Sequence, residues 1–154
     1  MQEQLEKNYR AGVGIILINS EKKVFCGNRI DNPDAWQMPQ GGVDDDEDLL
    51  LAAKRELEEE TSVKNIELIA ESNDFYQYEL PQEWIDRLWS GKYVGQKQKW
   101  FLFKCLKPEE INVKTTEPEF LSWQWQNQDF LINNIVEFKK KLYKSLFEEF
   151  KPFL

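Results

Sequence analysis

GGVDDDEDLLLAAKRELEEETSV, residues 41–63, is the stretch on which the reading of this chain turns. Glu56, Glu59 and Glu60 stand at i, i+3 and i+4, so on an α-helix their carboxylates share one face. Three unpaired anions at that spacing repel one another, and a hard, oxygen-seeking divalent cation relieves the repulsion. Leu49, Leu50, Ala53 and Leu57 recur on an adjoining arc and give the helix a side to bury, while Glu47, Lys54 and Glu58 point toward water. Arg55 lies beside the carboxylates and can orient one of them by a charge-assisted hydrogen bond. Upstream, Pro39-Gln40-Gly41-Gly42 reads as a breaker that brings bare backbone N–H groups toward the cation, with Asp44 to Asp46 as candidate caps. The spacing predicts a helix over about 46–61. Taken alone, an acidic helix after a diglycine turn is most simply a solvated surface.

The whole string says more than its fragments. Gly41, five residues, Glu47, seven residues, then Arg55-Glu56-Leu57-x-Glu59-Glu60 resembles the signature of the Nudix hydrolase superfamily. The resemblance implies that Glu56, Glu59 and Glu60 bind catalytic Mg²⁺ (or Mn²⁺ or another divalent cation in its place). It implies that Gly41 belongs to the metal site and, with Glu47, holds the loop–helix geometry, and that Arg55 supports the catalytic carboxylates. Ser62 departs from the pattern, which has glycine there. A left-handed turn at a helix end suits glycine, and a serine in it costs about 1 kcal/mol. No metal ligand is touched by that change.

A chain of 154 residues is most simply one domain, here 1–154, with the box at 41–63. No run approaches the ~18 apolar residues of a membrane span, and the start, MQEQLEKNYR, is too polar for a signal peptide, so a cytoplasmic location is expected. Cys26 and Cys105 lie in apolar runs and read as reduced core residues. The formal net charge is −8, which argues against a nucleic-acid partner until its distribution is considered. Asp44–Asp48 and Glu56, Glu58, Glu59 and Glu60 carry nearly all of the excess, within the segment that would hold cations. Histidine is absent, which removes Ser-His-Asp and Cys-His nucleophile schemes and histidine acid–base catalysis. Six tryptophans and ten phenylalanines exceed what a core of this size needs and leave aromatic surface for stacking.

Strands are expected at 9–18, 22–29, 66–71, 74–80, 99–106 and 120–126, with a short extended piece at 35–39. A brief helical turn follows Pro81, and an amphipathic helix over 134–150 turns Ile135, Phe138, Leu142 and Leu146 to the core. Strands mixed with a central and a C-terminal helix give an α+β protein, an α/β/α sandwich. The resemblance implies the same Nudix fold with a mixed central sheet.

Further stretches narrow the resemblance. Tyr9 to Gly14, Trp36 to Gly42, Gly95 to Phe101, Pro118-Glu119-Phe120 with Trp123 and Trp125, and Phe138-Lys139 are similar to the bacterial RNA pyrophosphohydrolases and the plant-type dinucleoside polyphosphate hydrolases, in order from about residue 8 to 150. Glu119 then becomes a further metal ligand or base; by itself it reads as a solvated loop carboxylate. Arg10 and Arg29 would neutralise polyphosphate, though either reads equally well as half of a surface ion pair. Gln96 to Lys99 alternate along a strand, so Lys97 and Lys99 share a face and would hold phosphate oxygens; the plain alternative is a charged edge strand. Gln40 and Gln96 fall in the matching stretches and are counted with the substrate-binding residues. Tyr78, Phe138 and Lys139 match base-contacting positions, against plain core packing for Phe138. Trp123 and Trp125 are assigned mainly to the core. The implied reaction is Mg²⁺-dependent conversion of 5′-triphosphate RNA to 5′-monophosphate RNA with release of pyrophosphate, the opening step of mRNA decay, with Glu59 as base and Glu119 as the other candidate. Hydrolysis of dinucleoside polyphosphates such as diadenosine tetraphosphate is the alternative. A non-cleaving binding module is disfavoured by the complete carboxylate set. No membrane partner is expected, and a monomer is the simplest state.

Overall fold

Alternation along two strands decides the architecture. In β1 (Tyr9–Ile18), Val13, Ile15 and Leu17 face one side and Ile16 and Ile18 the other, all of them buried. In β7 (Gly95–Cys105), Phe101 and Phe103 join the first set, and Trp100 and Leu102 the second. Two apolar faces on the same strands require a layer of cover on each side. The helix α1 (Leu49–Thr61) covers the first face through Ala52, Ala53 and Leu57. The helices α3 (Gln128–Asn134) and α4 (Lys140–Glu149) cover the second through Leu131, Leu142, Tyr143, Leu146 and Phe147. The result is the expected α/β/α sandwich, in a computed structural model that describes residues 8–85 and 87–154. Residues 1–7, the first part of the polar start at which no signal peptide is expected, lie outside these, as does Asp86, which falls in the turn expected after Pro81.

The sheet is mixed. Its order is β3-β2-β1-β7-β5, where β2 is Val24–Arg29, β3 Trp36–Gln37 and β5 Ile66–Glu71. β1 and β7 run parallel from Tyr9↔Gly95 to Ile18↔Lys104, and the other pairings are antiparallel. Three strands attach beside that path: β4 (Gln40–Gly42) on β1, β6 (Tyr76–Glu79) on β7, and β8 (Phe120–Gln126) on β2. The short helix α2 (Gln82–Ile85) follows β6. Cys26 and Cys105 are free and buried, and burial pushes the Cys26 thiol up to about 12, so both serve as core residues. No helix among the described residues is long and apolar enough to cross a membrane.

Four local expectations change. Gln40-Gly41-Gly42 is a strand rather than a breaker: Gly12, Val13 and Gly14 of β1 pair with Gly42, Gly41 and Gln40, and the Ile15 N–H donates to Pro39 O at 2.9 Å. Asp48, not Asp44 to Asp46, caps α1, its carboxylate accepting from Leu51 N at 3.1 Å. Trp123 and Trp125 are half-buried, stacked on or edge-on to Phe25 at the margin of the α1-side core. The helix expected over 134–150 is interrupted, because Ile135 is extended (φ −78, ψ 155) and a 3₁₀ turn at Glu137–Lys139 precedes α4. Ile135, Leu142 and Leu146 still reach the core, and Phe138, partly buried, packs against the same cluster. Ser62 is left-handed as its position suggested (φ 68, ψ 6), with its hydroxyl donating to Asn112 O at 2.9 Å.

Gly14 lets the sheet accept its largest core side chain. A Cβ at Gly14 would lie inside the indole of Trp100, which is fully buried. Gly14→Ala is expected to lower unfolding free energy by about 1–3 kcal/mol, the usual cost of overpacking. Denaturant unfolding measures it, and unchanged stability would show that the Trp100 layer is slack.

Candidate active site

Arg55 sets the geometry of the site. Its Nε donates to Glu47 Oε2 at 2.8 Å and its Nη2 to Glu47 Oε1 at 2.9 Å, a two-pronged pair. The same Nη2 donates to Gly42 O at 3.0 Å, tying α1 to β4. Nη1 donates to Glu56 Oε1 at 2.9 Å and reaches Glu59 at 3.2–3.3 Å. Glu47, expected to point to water, is instead turned onto Arg55, whose hydrogen bonds hold its carboxyl down to about 2. Arg55 itself is held protonated, first by Glu47. Gly41 is required by close approach, since a Cβ there would overlap the Glu56 carboxylate.

Behind Glu56 lies Glu60, with 5% of its surface exposed. Burial pushes its carboxyl well above the usual range, and the neighbouring charges of Glu56 and Glu119 push the same way; Arg29 and a hydrogen bond from the Gln40 backbone oppose them. Glu56 is raised too, chiefly by burial. Arg29 is fixed by Asp31, accepting at 2.6–2.7 Å, and donates from Nη1 to Gln37 Oε1 at 3.2 Å.

These residues, Glu47 apart, line one open cavity of about 1420 Å³. Glu56, Glu59, Glu60, Glu119, Arg55, Arg10 and Arg29 bring charge to it, and Gly41, Gln40, Tyr78, Gln96, Phe138 and Lys139 also line it. Thirteen of the fifteen residues singled out from sequence therefore share this cavity. Lys97 and Lys99 do not line it. The parallel register pairs Arg10 with Gln96, so Gln96 and Gln98 turn inward on that face. The lysines then fall on the opposite face, where their Nζ atoms lie 5.4 and 5.9 Å from the ring of Phe75.

The aromatic wall extends beyond the expected residues. Phe138 sits 6.0 Å from Tyr78 and 6.4 Å from Trp84. Arg10 lies over Trp89 at 5.1 Å. Trp84, Leu88 and Trp89, with Asp31 and Gln37, are cavity residues that sequence reading did not single out. The only hint of the tryptophans was the surplus of aromatic residues.

Comparison with known proteins agrees with this architecture. The model of the NUDIX domain matches residues 8–146. The chain belongs to the Nudix family. Enzymes of this family generally use divalent cations such as Mg²⁺. The chain is 50% identical to an RNA pyrophosphohydrolase of Pelagibacter ubique, over 94% of this chain and 93% of that one. Among solved structures it resembles the E. coli dihydroneopterin triphosphate pyrophosphohydrolase, with TM-score 0.72, 20% identity and coverage of 90% and 97%. It also resembles a C. elegans Ap4A hydrolase, with TM-score 0.67, 20% identity and coverage of 94% and 96%. Those two likenesses are of fold.

The donor chemistry of this Nudix site suits a hard cation. Carboxylate oxygens are gathered with neither imidazole nor thiolate, and Glu60 is buried with its charge incompletely offset. Among the described residues no three acidic side chains close on one point, since Arg55 draws Glu56 and Glu59 to itself.

Lys139 is buried at 4% exposure, its Nζ donating to Gln40 Oε1 at 3.1 Å and lying 5.2 Å from the Tyr78 ring centre. Burial pushes its ammonium from 10.5 down to about 7, helped by repulsion from Arg29 and opposed by Glu60 and Asp31. Between those values the folded protein binds fewer protons than the unfolded one, so the destabilisation is complete below pH 7 and fades as pH rises toward 10.5. Lys139→Met should therefore gain more stability over wild type at pH 6 than at pH 10. Paired thermal melts measure the difference, and an equal gain at both pH values would contradict the burial of a charged lysine.

Proposed function

We propose that this protein is an RNA pyrophosphohydrolase that converts the 5′-triphosphate end of RNA to a monophosphate, releases pyrophosphate and so opens mRNA decay. One observation carries the reading: a single cavity joins the carboxylates of Glu56, Glu59, Glu60 and Glu119 and the guanidinium groups of Arg10, Arg29 and Arg55 to an aromatic wall, in a chain that matches an RNA pyrophosphohydrolase over nearly its full length. Triphosphate needs the first group of residues, and unstacked terminal bases suit the second. We further place the protein in the cytoplasm as a monomeric single domain.

In this reading Glu56, Glu59, Glu60 and Glu119, beside Gly41, hold Mg²⁺, or Mn²⁺ in its place. When bound, the cation neutralises phosphate oxygens and lowers the pKa of an attacking water. Glu59, exposed and reached among the described residues by Arg55, takes the proton from water as its oxygen attacks phosphorus; Glu119 is the other candidate. The phosphoanhydride bond breaks and pyrophosphate departs with the bonding electrons. Arg10 and Arg29 stabilise the charge that builds on the phosphate oxygens. Lys97 and Lys99 have no part in that task, because they lie on the other face of the sheet. Phe138, Tyr78, Gln40, Gln96 and Lys139 hold the terminal bases.

At equal low concentration, Mg²⁺-dependent kcat/KM should be clearly higher for a short 5′-triphosphate RNA than for diadenosine tetraphosphate. The reverse ratio would make this a dinucleoside polyphosphate hydrolase. Glu59→Gln should lower kcat by about 10²-fold or more with the fold intact, and a near-normal rate would remove Glu59 as base. Gly41→Ala, by displacing Glu56, should abolish turnover while circular dichroism stays native. Full activity would contradict the close approach.

A further inference from the structure

Behind the cavity wall runs a chain of buried polar groups with a fixed direction. Trp100 Nε1 donates to Gln98 Oε1 at 3.1 Å. Gln98 Nε2 donates to Gln96 Oε1 at 3.4 Å, and Gln96 Nε2 donates to the Tyr78 hydroxyl oxygen at 2.9 Å. From the other side, Lys139 Nζ donates to Gln40 Oε1 at 3.1 Å, and Gln40 Nε2 reaches the same hydroxyl at 3.3 Å. Gln98 is fully buried and Gln96 nearly so, among Trp100, Tyr78 and other core side chains. Amides in such a setting persist only when each polar atom is satisfied.

The polarity follows from the two ends. An indole N–H donates and never accepts, and Lys139 does the same in its ammonium form, which burial confines to pH values below about 7. Trp100 therefore fixes Gln98 with its oxygen toward the indole, which turns the Gln98 NH₂ to Gln96 and the Gln96 NH₂ to Tyr78. Lys139 fixes Gln40 the same way, so a second NH₂ faces Tyr78. A hydroxyl has two lone pairs and one hydrogen. Both lone pairs of Tyr78 are taken by amide donors, and among the described residues its hydrogen has no bonded acceptor. Tyr78 also lines the cavity, where a bound molecule can offer that acceptor.

We propose that Trp100 and Gln98 are positioning residues which, through Gln96, fix the Tyr78 hydroxyl as a hydrogen-bond donor into the cavity, so that the substrate presents an acceptor atom there. The proposal rests on the reading of this cavity as the site for the 5′ end of RNA. The acceptor is a phosphate oxygen or an acceptor on a base edge, and the two differ in their dependence on sequence.

The test is a double-mutant cycle on kcat/KM with short 5′-triphosphate RNAs of varied first and second bases. Tyr78→Phe removes the hydroxyl, and Trp100→Phe removes the donor that orients the relay. Gln98→Met breaks the relay one step on, and replaces Trp100→Phe if that variant does not fold. Tyr78→Phe should cost about tenfold, the worth of one hydrogen bond to a demanding acceptor. Trp100→Phe or Gln98→Met should cost severalfold in the wild-type background and nothing further in the Tyr78→Phe background. A loss uniform across sequences assigns the acceptor to phosphate, and a base-dependent loss assigns it to a base edge. Additive losses, the mark of a merely structural role, would overturn the proposal, as would full activity in Tyr78→Phe. Wild-type turnover of the same RNAs is the control. Its absence would count against the proposed activity, whereas turnover with additive losses would count against the relay alone.

Discussion

The guanidinium of Arg55 is the joint on which the site depends. It grips Glu47 with two donors, the Gly42 carbonyl with a third, and Glu56 and Glu59 with the rest. A lysine has no planar fork with which to do this. The consequence is mechanical. The helix that carries the carboxylates is locked to the strand whose glycine admits Glu56, and β4 is in turn paired to β1 at the centre of the sheet. The position of the acids is thereby referred to the central strand of the sheet.

Electrostatic strain inside that frame points to function. Glu60 is nearly inaccessible and close to Glu56 and Glu119, with Arg29 as a partial counterweight already engaged by Asp31. A buried acid raised in this way binds more protons folded than unfolded. Its cost is absent below the ordinary carboxylate range and grows as pH rises toward its folded value. A purely structural role would favour an apolar residue in its place. In the proposed function a divalent cation would turn the same group from a liability into a ligand. Lys139 and the glutamine relay show the same pattern, polar groups kept in the dark with a direction imposed on them.

Most of the fold could be read from periodicity. The i, i+3, i+4 spacing placed Glu56, Glu59 and Glu60 on one side of α1, and the apolar, β-branched run of β1 announced a buried strand. What was hidden depended on partners distant in sequence. Alternation correctly set Lys97 and Lys99 together, but which face they take is decided by the Arg10↔Gln96 register with β1, and that sends them away from the cavity. Helical spacing ran on through Ile135 because those apolar positions do pack, yet the backbone there is extended and gives Phe138 to the cavity. Glu47 looked solvated because the guanidinium it meets is eight residues on. Gln98 was legible only as a polar residue in a strand; its meaning needed the burial of its neighbours.

The central claim is that Glu60 is held buried for a divalent cation. Thermal unfolding at pH 8 of wild type and Glu60→Gln, each metal-free and with Mg²⁺, tests it most directly. Without metal, Glu60→Gln should melt higher than wild type, because the buried charge is gone. With Mg²⁺, wild type should rise and overtake a variant that barely responds. Equal stabilisation of both proteins by Mg²⁺, or a metal-free wild type more stable than Glu60→Gln, would contradict the account.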